Sequence, residues 1–317
     1  MGDFMLCLRN AALSAISVAL LATPALAQDY KWSGFSLYAG GGGLGLDADL
    51  SATDKTTYSA ETTCETVTST GFEGFLPCIE LGPVSAANTN NLSASDFDTA
   101  LFGTVGIGAD FEFAPGFVVG AFADIDWSDA EVDLSSTAKS KFGPKNAFSS
   151  STSLNANLEF DYSWTVGGRL GVLSLNRQAL MYVLAGYTEM HADGSMKISS
   201  DTNGPFNSLF GDSATVKLPD DYQGYTLGAG TEVKLSQAWS LKLEGRYTNL
   251  NSEGGSYASA SSTKTSLGRT EYGLGNDCGK LSKDCEAFLK TTTSSKGSFD
   301  IDPDIWTGRV ALTYQLN

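Results

Sequence analysis

The sequence predicts an all-β fold, an eight-stranded antiparallel up-and-down transmembrane β-barrel with long extracellular loops. Three observations lead to this prediction. They are an export signal at the N-terminus, long segments in which apolar residues alternate with polar or very small ones, and connections that alternate between short and long. A soluble sandwich has no reason to sort its loops in this way, whereas a barrel in an outer membrane has short turns on one side and long loops on the other.

Residues 1–27 have the composition of a secretory signal peptide. Arg9 precedes the apolar run AALSAISVALLATPALA, and Ala25 and Ala27 at its end form an A-x-A cleavage site. The run is too short and too interrupted to be a transmembrane helix. We therefore expect residues 28–317 to form the exported barrel domain.

Eight segments carry the alternation that a strand with one apolar face requires. In FDTALFGTVGIGADFEF, for example, Val105, Ile107 and Phe111 lie on one face, and Thr104 and Asp110 lie on the other. In chain order, the segments are residues 32–46, 97–113, 117–129, 157–173, 179–190, 221–235, 239–250 and 299–316.

The connections between these segments alternate in length. The turns APG (114–116), SLNRQ (174–178) and SQA (236–238) follow the second, fourth and sixth segments. About 25 to 50 residues rich in Ser, Thr, Asn and Gly follow the first, third, fifth and seventh. A chain that starts in the periplasm and crosses eight times places every long connection outside the cell. A further hairpin in these connections would give ten strands, which is the alternative count.

The glycines of GGGGLG in the first segment fit the nucleotide-binding pattern G-x-G-x-x-G at Gly40, Gly42 and Gly45. That reading requires a helix after the last glycine, but LDADLSATDKTTYSAETT lacks helical periodicity. In a narrow barrel, glycines let a strand curve sharply and let neighbouring groups approach closely. We therefore assign these glycines to curvature and clearance, and we expect no cofactor.

Four cysteines of the exported part lie in polar connections as two sequence pairs, Cys64 with Cys78 and Cys278 with Cys285. In an exported protein an even number of loop cysteines suggests disulfides, although four cysteines allow three connectivities. Pairing within each sequence pair is favoured because it closes loops of about 15 residues or fewer. Zinc is disfavoured because neither spacing is that of a structural zinc site.

Charged residues alternate with the apolar ones and are therefore expected in the lumen of the barrel. By parity they are Asp110, Glu112, Asp124, Asp126, Glu159, Asp161, Glu232, Glu244, Arg169, Lys242, Arg246 and Arg309. An unpaired charge in so narrow a space costs several kcal/mol, so these groups have to pair. The candidate network that closes the lumen consists of Arg169, Glu232, Lys242, Glu244, Arg246 and Arg309. The alternative is a gate or an ion path in which the pairs rearrange.

The sequence offers little for catalysis or for nucleic acid. Its formal net charge of −16 disfavours a nucleic-acid partner. The single histidine, His191, follows the fifth segment with Asp193 nearby, and a solvated loop histidine is a simpler interpretation than a catalytic one. No metal-binding pattern is present. Long loops on a rigid scaffold commonly carry function. Besides a structural barrel and an enzyme, the sequence therefore allows a surface binder that contacts an extracellular ligand.

Three segments resemble a known group of proteins. WSGFSLYAGGGGLG, LKLEGRYTNL and IWTGRVALTYQL are similar to the first, seventh and closing strands of Gram-negative outer-membrane barrels of the OmpA-like and opacity-protein-like type, often called the porin family. The resemblance implies a monomer in the cell outer membrane, in contact with lipid and lipopolysaccharide and with a structural, envelope-stabilising or surface-interaction role. The chain ends in TYQLN, whereas such barrels end in an aromatic residue that the barrel-assembly machinery recognises.

Overall fold

The structure is a computed structural model that describes residues 30–66, 84–142, 148–174, 176–203, 209–270 and 285–316. This part of the chain is all-β, and no helix in it is long and apolar enough to cross a membrane. The signal peptide predicted for residues 1–27 lies outside it. The strands are β1 (Gly34–Thr66), β2 (Val84–Ala114), β3 (Phe117–Ser128), β4 (Glu131–Phe142), β5 (Phe148–Leu173), β6 (Ala179–Asn203), β7 (Leu209–Lys217), β8 (Asp221–Lys234), β9 (Trp239–Leu250), β10 (Glu253–Thr270) and β11 (Cys285–Leu316).

Eight of these strands close into a ring. The order around it is β1, β2, β3, β5, β6, β8, β9 and β11, all neighbours are antiparallel, and β11 pairs with β1 to complete it. The predicted eight-stranded barrel is therefore confirmed. Because a closed sheet has no free edge in this section, its backbone hydrogen bonds are all satisfied within the protein.

The other three strands continue ring strands beyond short breaks. β4 follows β3, β10 follows β9, and β7 precedes β8, with two or three residues between the members of each pair. Beyond the breaks the ring opens into two four-stranded sheets, β10-β11-β1-β2 and β4-β5-β6-β7. The long connections predicted as loops are therefore largely strand, and β1 alone runs for 33 residues. We call this part of the protein the extension.

Between the ring and the extension the outward side chains change from apolar to polar, and the inward side chains change from polar to apolar. The same alternate residues of each strand point outward in both parts. On β6 the outward residues are apolar up to Tyr187 and polar from Glu189 onward. The inward residues do the opposite, since Thr188 is followed by the buried Met190 and Met196. Next to the ring the interior of the extension is an apolar core, and further out it contains buried polar groups such as Thr56, Thr152 and Ser200. The switch marks the outer edge of the lipid-facing band.

Aromatic side chains frame the lipid-facing band. The outer belt consists of outward-facing aromatics on neighbouring ring strands, namely Trp127, Tyr162, Trp164, Tyr187, Tyr225, Tyr247 and Trp306. Trp239 and Tyr314 contact each other near the opposite end. Such belts flank the apolar band of outer-membrane barrels. Trp32 does not belong to a belt, because it is only 2% exposed and donates its indole N–H to the carbonyl of Arg177.

The inward and outward faces predicted for the first part of β5 are wrong because the strand contains a β-bulge. Phe160 pairs with Ala192 and Tyr162 pairs with His191, so that Asp161 is an extra residue. The bulge reverses the inward parity along the strand. Glu159 and Asp161, which were predicted in the lumen, are exposed on the outside, whereas Phe160 is buried inside rather than facing lipid.

Candidate functional site in the barrel bore

Ten charged side chains point into the bore of the ring, where they are buried. The inward parity of six ring strands places them there, and small residues such as glycine between them leave room. The acids are Asp110, Asp124, Asp126, Glu232 and Glu244, and the bases are Arg169, Arg246, Arg309, Lys234 and Lys242. Five acids and five bases make this set electrically neutral.

The cluster nearer the turns is built around Arg169. Its guanidinium donates to both oxygens of Asp110, with Nε at 2.8 Å from Oδ1, and its Nη1 lies 3.1 Å from Oε2 of Glu232. Ser240 donates to the other oxygen of Glu232 at 2.5 Å. Each charge is thus neutralised and hydrogen-bonded, which is the condition for keeping ions out of water.

The second cluster lies further along the bore and shares its carboxylates between two arginines. Arg246 donates two hydrogen bonds to Asp124, at 3.0 and 2.6 Å, and one to Glu244 at 2.5 Å. Arg309 donates to Asp126 at 2.7 Å, and its nitrogens lie 3.5 Å from Asp124 and 3.6 Å from Glu244. Bidentate and shared pairs of this kind fix the side chains in one arrangement.

Two tyrosines complete the network. Tyr182 donates its hydroxyl to Glu244 at 2.8 Å, and the Arg169 guanidinium lies 5.0 Å from the centre of its ring. Tyr38 donates to Asp124 at 2.7 Å. The ammonium group of Lys242 lies 3.4 Å from the centre of the Tyr38 ring, within cation–π range.

The bore is covered at both ends of the network. Toward the extension, a row of hydroxyls crosses four strands, with Thr188 2.8 Å from Thr165 and 2.5 Å from Thr226, and with Thr226 2.7 Å from Thr248. The apolar core of the extension, which includes Leu44, Leu46, Phe102 and Met190, lies beyond this row. Toward the turns, Trp32 and Lys234 fill the bore, with the Lys234 ammonium 4.8 Å from the Trp32 ring.

The structure places all six side chains of the candidate network in the bore, but in two groups. Arg169 and Glu232 belong to one cluster, Glu244, Arg246 and Arg309 belong to the other, and Lys242 lies over the Tyr38 ring beside the second cluster. The sequence placed Glu244 and Arg246 near Arg309, and the structure confirms this proximity. It did not predict that Asp110 pairs with Arg169 or that Asp124 pairs with Arg246. It missed the tyrosines, although their inward parity on β1 and β6 was available as a signal.

The cysteine pairing stays a prediction. Cys78 and Cys278 lie outside the described residues. Cys64 and Cys285 lie near the far ends of β1 and β11, where the backbone of Cys64 is opposite Ala287 and that of Cys285 is opposite Thr66. In the described part of the chain, no group of three or more His, Cys, Asp or Glu side chains is arranged to hold a metal ion.

His191 lies within β6 on the outer surface of the barrel, rather than in a loop. Its Nδ1 is 2.7 Å from Oδ1 of Asp221, and its ring stacks on Tyr162 with the centroids 5.2 Å apart. The hydrogen bond to Asp221 raises the pKa of the imidazole above its ordinary value of 6.5, and Asp161 and Asp193 add to this effect. Asp221 thus orients the ring and favours its protonated form.

We expect Asp221→Asn to lower the pKa of His191. Because the chain has one histidine, its imidazole resonances in an NMR titration are assigned without further variants. The raised pKa means that the pair stabilises the fold fully below pH 6.5 and that this contribution is lost as the pH rises through the folded-state pKa. Asp193→Asn is the control, since Asp193 acts through its charge alone and should cause a smaller decrease. Equal titration of wild type and Asp221→Asn would contradict the assigned contact.

The sequence and the structure were compared with protein families and with known proteins. A family model described as outer membrane protein beta-barrel domain matches residues 13–272. No curated protein matches the sequence. Among solved structures, the attachment invasion locus protein Ail of Yersinia pestis is 12% identical, with a TM-score of 0.19, over 79% of this chain and 97% of that chain. The outer membrane protease OmpT from Escherichia coli is 11% identical, with a TM-score of 0.22, over 86% of this chain and 97% of that chain.

Proposed function

Because the chain belongs to the family of outer membrane protein beta-barrel domains, and is thus a barrel of the Gram-negative outer membrane, we propose that it is a structural and surface-interaction protein with a closed bore. In this proposal the ring anchors the protein in the membrane, the charge network closes the bore, and the extension presents a rigid surface to the outside. The role is non-catalytic.

The observation that carries the proposal is the pairing of charges across the bore. The guanidiniums of Arg169, Arg246 and Arg309 reach carboxylates on strands across the bore, such as the contacts from Arg246 on β9 to Asp124 on β3. A wide aqueous channel appears only in barrels with roughly twice as many strands. A hydrated solute could pass only after these pairs separated, which would leave desolvated charges.

The extension supports the surface-interaction part of the proposal. About 20 residues of β1 lie beyond the outer belt, which corresponds to roughly 65 Å along the strand at about 3.3 Å per residue. Its outward side chains are mainly Ser, Thr, Asp, Glu and Lys, and its apolar core holds the two sheets together. A rigid scaffold that carries a polar surface is suited to contact an extracellular ligand.

A catalytic role for His191 has weaker support. Its described contacts are the carboxylate of Asp221 and the ring of Tyr162, on an outward face of the wall. A hydrolase or acyltransferase needs such a base beside a nucleophile. The described hydrogen bonds of His191 include none to a Ser or Thr hydroxyl.

Planar-bilayer recording of the purified wild-type protein tests the closed bore. We expect silence or rare small openings, because the ion pairs and the apolar core lie in series along the same path. Insertion of folded protein is verified on the same sample by comparing unboiled and boiled material on a gel. Steady, large single-channel conductance would overturn the proposal in favour of a small porin or gated channel.

A further inference from the structure

The barrel wall is irregular at one place near the outer belt. β3 ends at Ser128 and β4 begins at Glu131, so the wall has a break there. The bulge at Asp161 lies directly beside this break on β5, because Trp127 pairs with Tyr162 and Glu131 pairs with Glu159 on its two sides. Bulges re-aim side chains, and here the bulge turns the Asp161 side chain outward.

A groove of about 540 Å³ lies on the outer surface at this irregularity. Its apolar lining includes the side chains of Leu101 and Trp127, which are 80% and 46% exposed, and the Trp127 ring packs against Gly103. A Cβ at Gly103 would lie only 2.6 Å from that ring, so the close approach depends on glycine. Asp129 and Asp161 line the groove at its polar end.

Two further exposed carboxylates, Glu131 and Glu159, lie two residues from Asp129 and Asp161 along their chain segments, which makes four acids near this end of the groove. Glu131 and Glu159 are directly opposite each other on neighbouring strands, an arrangement of like charges that destabilises a sheet. Among the described residues none of the four forms an ion pair, although Asp161 is close enough to His191 to help raise the pKa of its imidazole. A cation bound here would relieve this repulsion.

We propose that this groove binds a single-chain amphiphile with an ammonium head group, seated at the surface of the outer leaflet. The alkyl chain lies along Leu101 and Trp127, which continue into the lipid-facing band. The ammonium group lies among the four carboxylates, next to the face of Trp127, where a cation–π contact adds to the attraction. A small soluble cation would leave the apolar lining unused, and an anionic amphiphile would be repelled.

Fluorescence quenching in proteoliposomes tests the proposal. The probe is an alkyltrimethylammonium with a bromine on its chain, which quenches tryptophan on contact. We expect saturable quenching that Trp127→Phe largely removes. Replacing both groove acids, as in Asp129→Asn with Asp161→Asn, should raise the half-saturating concentration by roughly fivefold or more.

Two controls separate site binding from general partitioning into the bilayer. Asp300→Asn with Asp302→Asn removes the same charge from exposed positions on β11 and should leave the half-saturating concentration within about twofold. An uncharged amphiphile with the same brominated chain should quench without saturation. The proposal is overturned by equal saturable quenching with the uncharged probe, by an unchanged half-saturating concentration in the Asp129/Asp161 variant, or by an equal increase in the β11 control.

Discussion

Replacing Glu244 by alanine is expected to lower the free energy of unfolding by roughly 3–5 kcal/mol, the range measured when one partner of a buried ion pair is removed. Glu244 accepts hydrogen bonds from Arg246 at 2.5 Å and from Tyr182 at 2.8 Å, and Arg309 lies 3.6 Å away. The neutral set of ten charges would become positive by one unit. Water cannot solvate the excess charge while the bore stays packed, so the free energy of the folded state rises relative to that of the unfolded state.

A carboxylate at the mouth of the barrel provides the matched control. Glu112 also pairs with an arginine, since its Oε2 lies 2.6 Å from Nη2 of Arg177, but both side chains are partly exposed, at 18% and 35%. Glu112→Ala should therefore cost less than about 1 kcal/mol, as partly solvated pairs do. Urea unfolding in lipid vesicles measures both variants. Equal losses would show that burial in the bore does not set the strength of the Glu244 contacts.

A second variant separates the charge from the lost hydrogen bonds. Removing Lys242 together with Glu244 restores neutrality, so the double variant should lose less stability than the sum of the single variants. Additive losses would mean that the excess positive charge is not the cause. This comparison also tests whether Lys242, whose ammonium lies on the Tyr38 ring, depends on Glu244 as a counter-charge.

The ring could be predicted from the sequence because lipid imposes a strict pattern. Every outward position has to be apolar, so Val105, Ile107 and Phe111 on β2 define the strand and its phase without knowledge of its neighbours. The short turns then fix the order of the strands. The three breaks lie where the ring opens into the extension. Lipid does not contact the wall there, so the requirement for apolar outward residues does not predict them.

The extension was predicted as loop because its strands follow a different rule. Its outward faces are polar, as at Ser51 and Thr53 on β1, and its inward faces mix apolar residues with small and hydroxyl-bearing ones, as at Ala52 and Thr56. Ser, Thr and Asn are also the residues of ordinary loops, so local composition does not decide between the two states. The long-range pairing of β1 with β11 decides it.

The charges of the bore were predicted from the sequence, together with the contacts of Glu244 on neighbouring strands, but the contacts across the barrel were not. Parity along a strand assigns Glu244 and Arg309 to the inside, whereas partners depend on the stagger between strands across the barrel. The bulge on β5 shows the limit of parity itself, since one extra residue moved Glu159 and Asp161 from the predicted lumen to the outer surface.

The glycine run of β1 yields the second large effect, because two adjacent glycines have opposite surroundings. A Cβ on Gly42 would lie 1.8 Å from the carbonyl oxygen of Gly308 and 2.9 Å from the Cα of Arg309, so the backbone of β11 would have to move. A Cβ on Gly43 would have no neighbour within 4 Å. The first strand thus needs glycine where it faces the bore but not at the next, outward position.

We therefore expect Gly42→Ala to destabilise the barrel by roughly 1–3 kcal/mol or more, as overpacking does. Gly43→Ala should be neutral or should stabilise it by up to about 1 kcal/mol, because alanine restricts the unfolded chain. The same urea unfolding measurement compares the two variants, which differ by one position and carry the same added methyl group. If Gly42→Ala costs no more than Gly43→Ala, close packing of β1 against β11 is not the reason for the glycine run. A large difference in the expected direction ties that run to the curvature of a narrow, filled barrel, since displacing β11 at Gly308 also displaces Arg309 and its contact with Asp126.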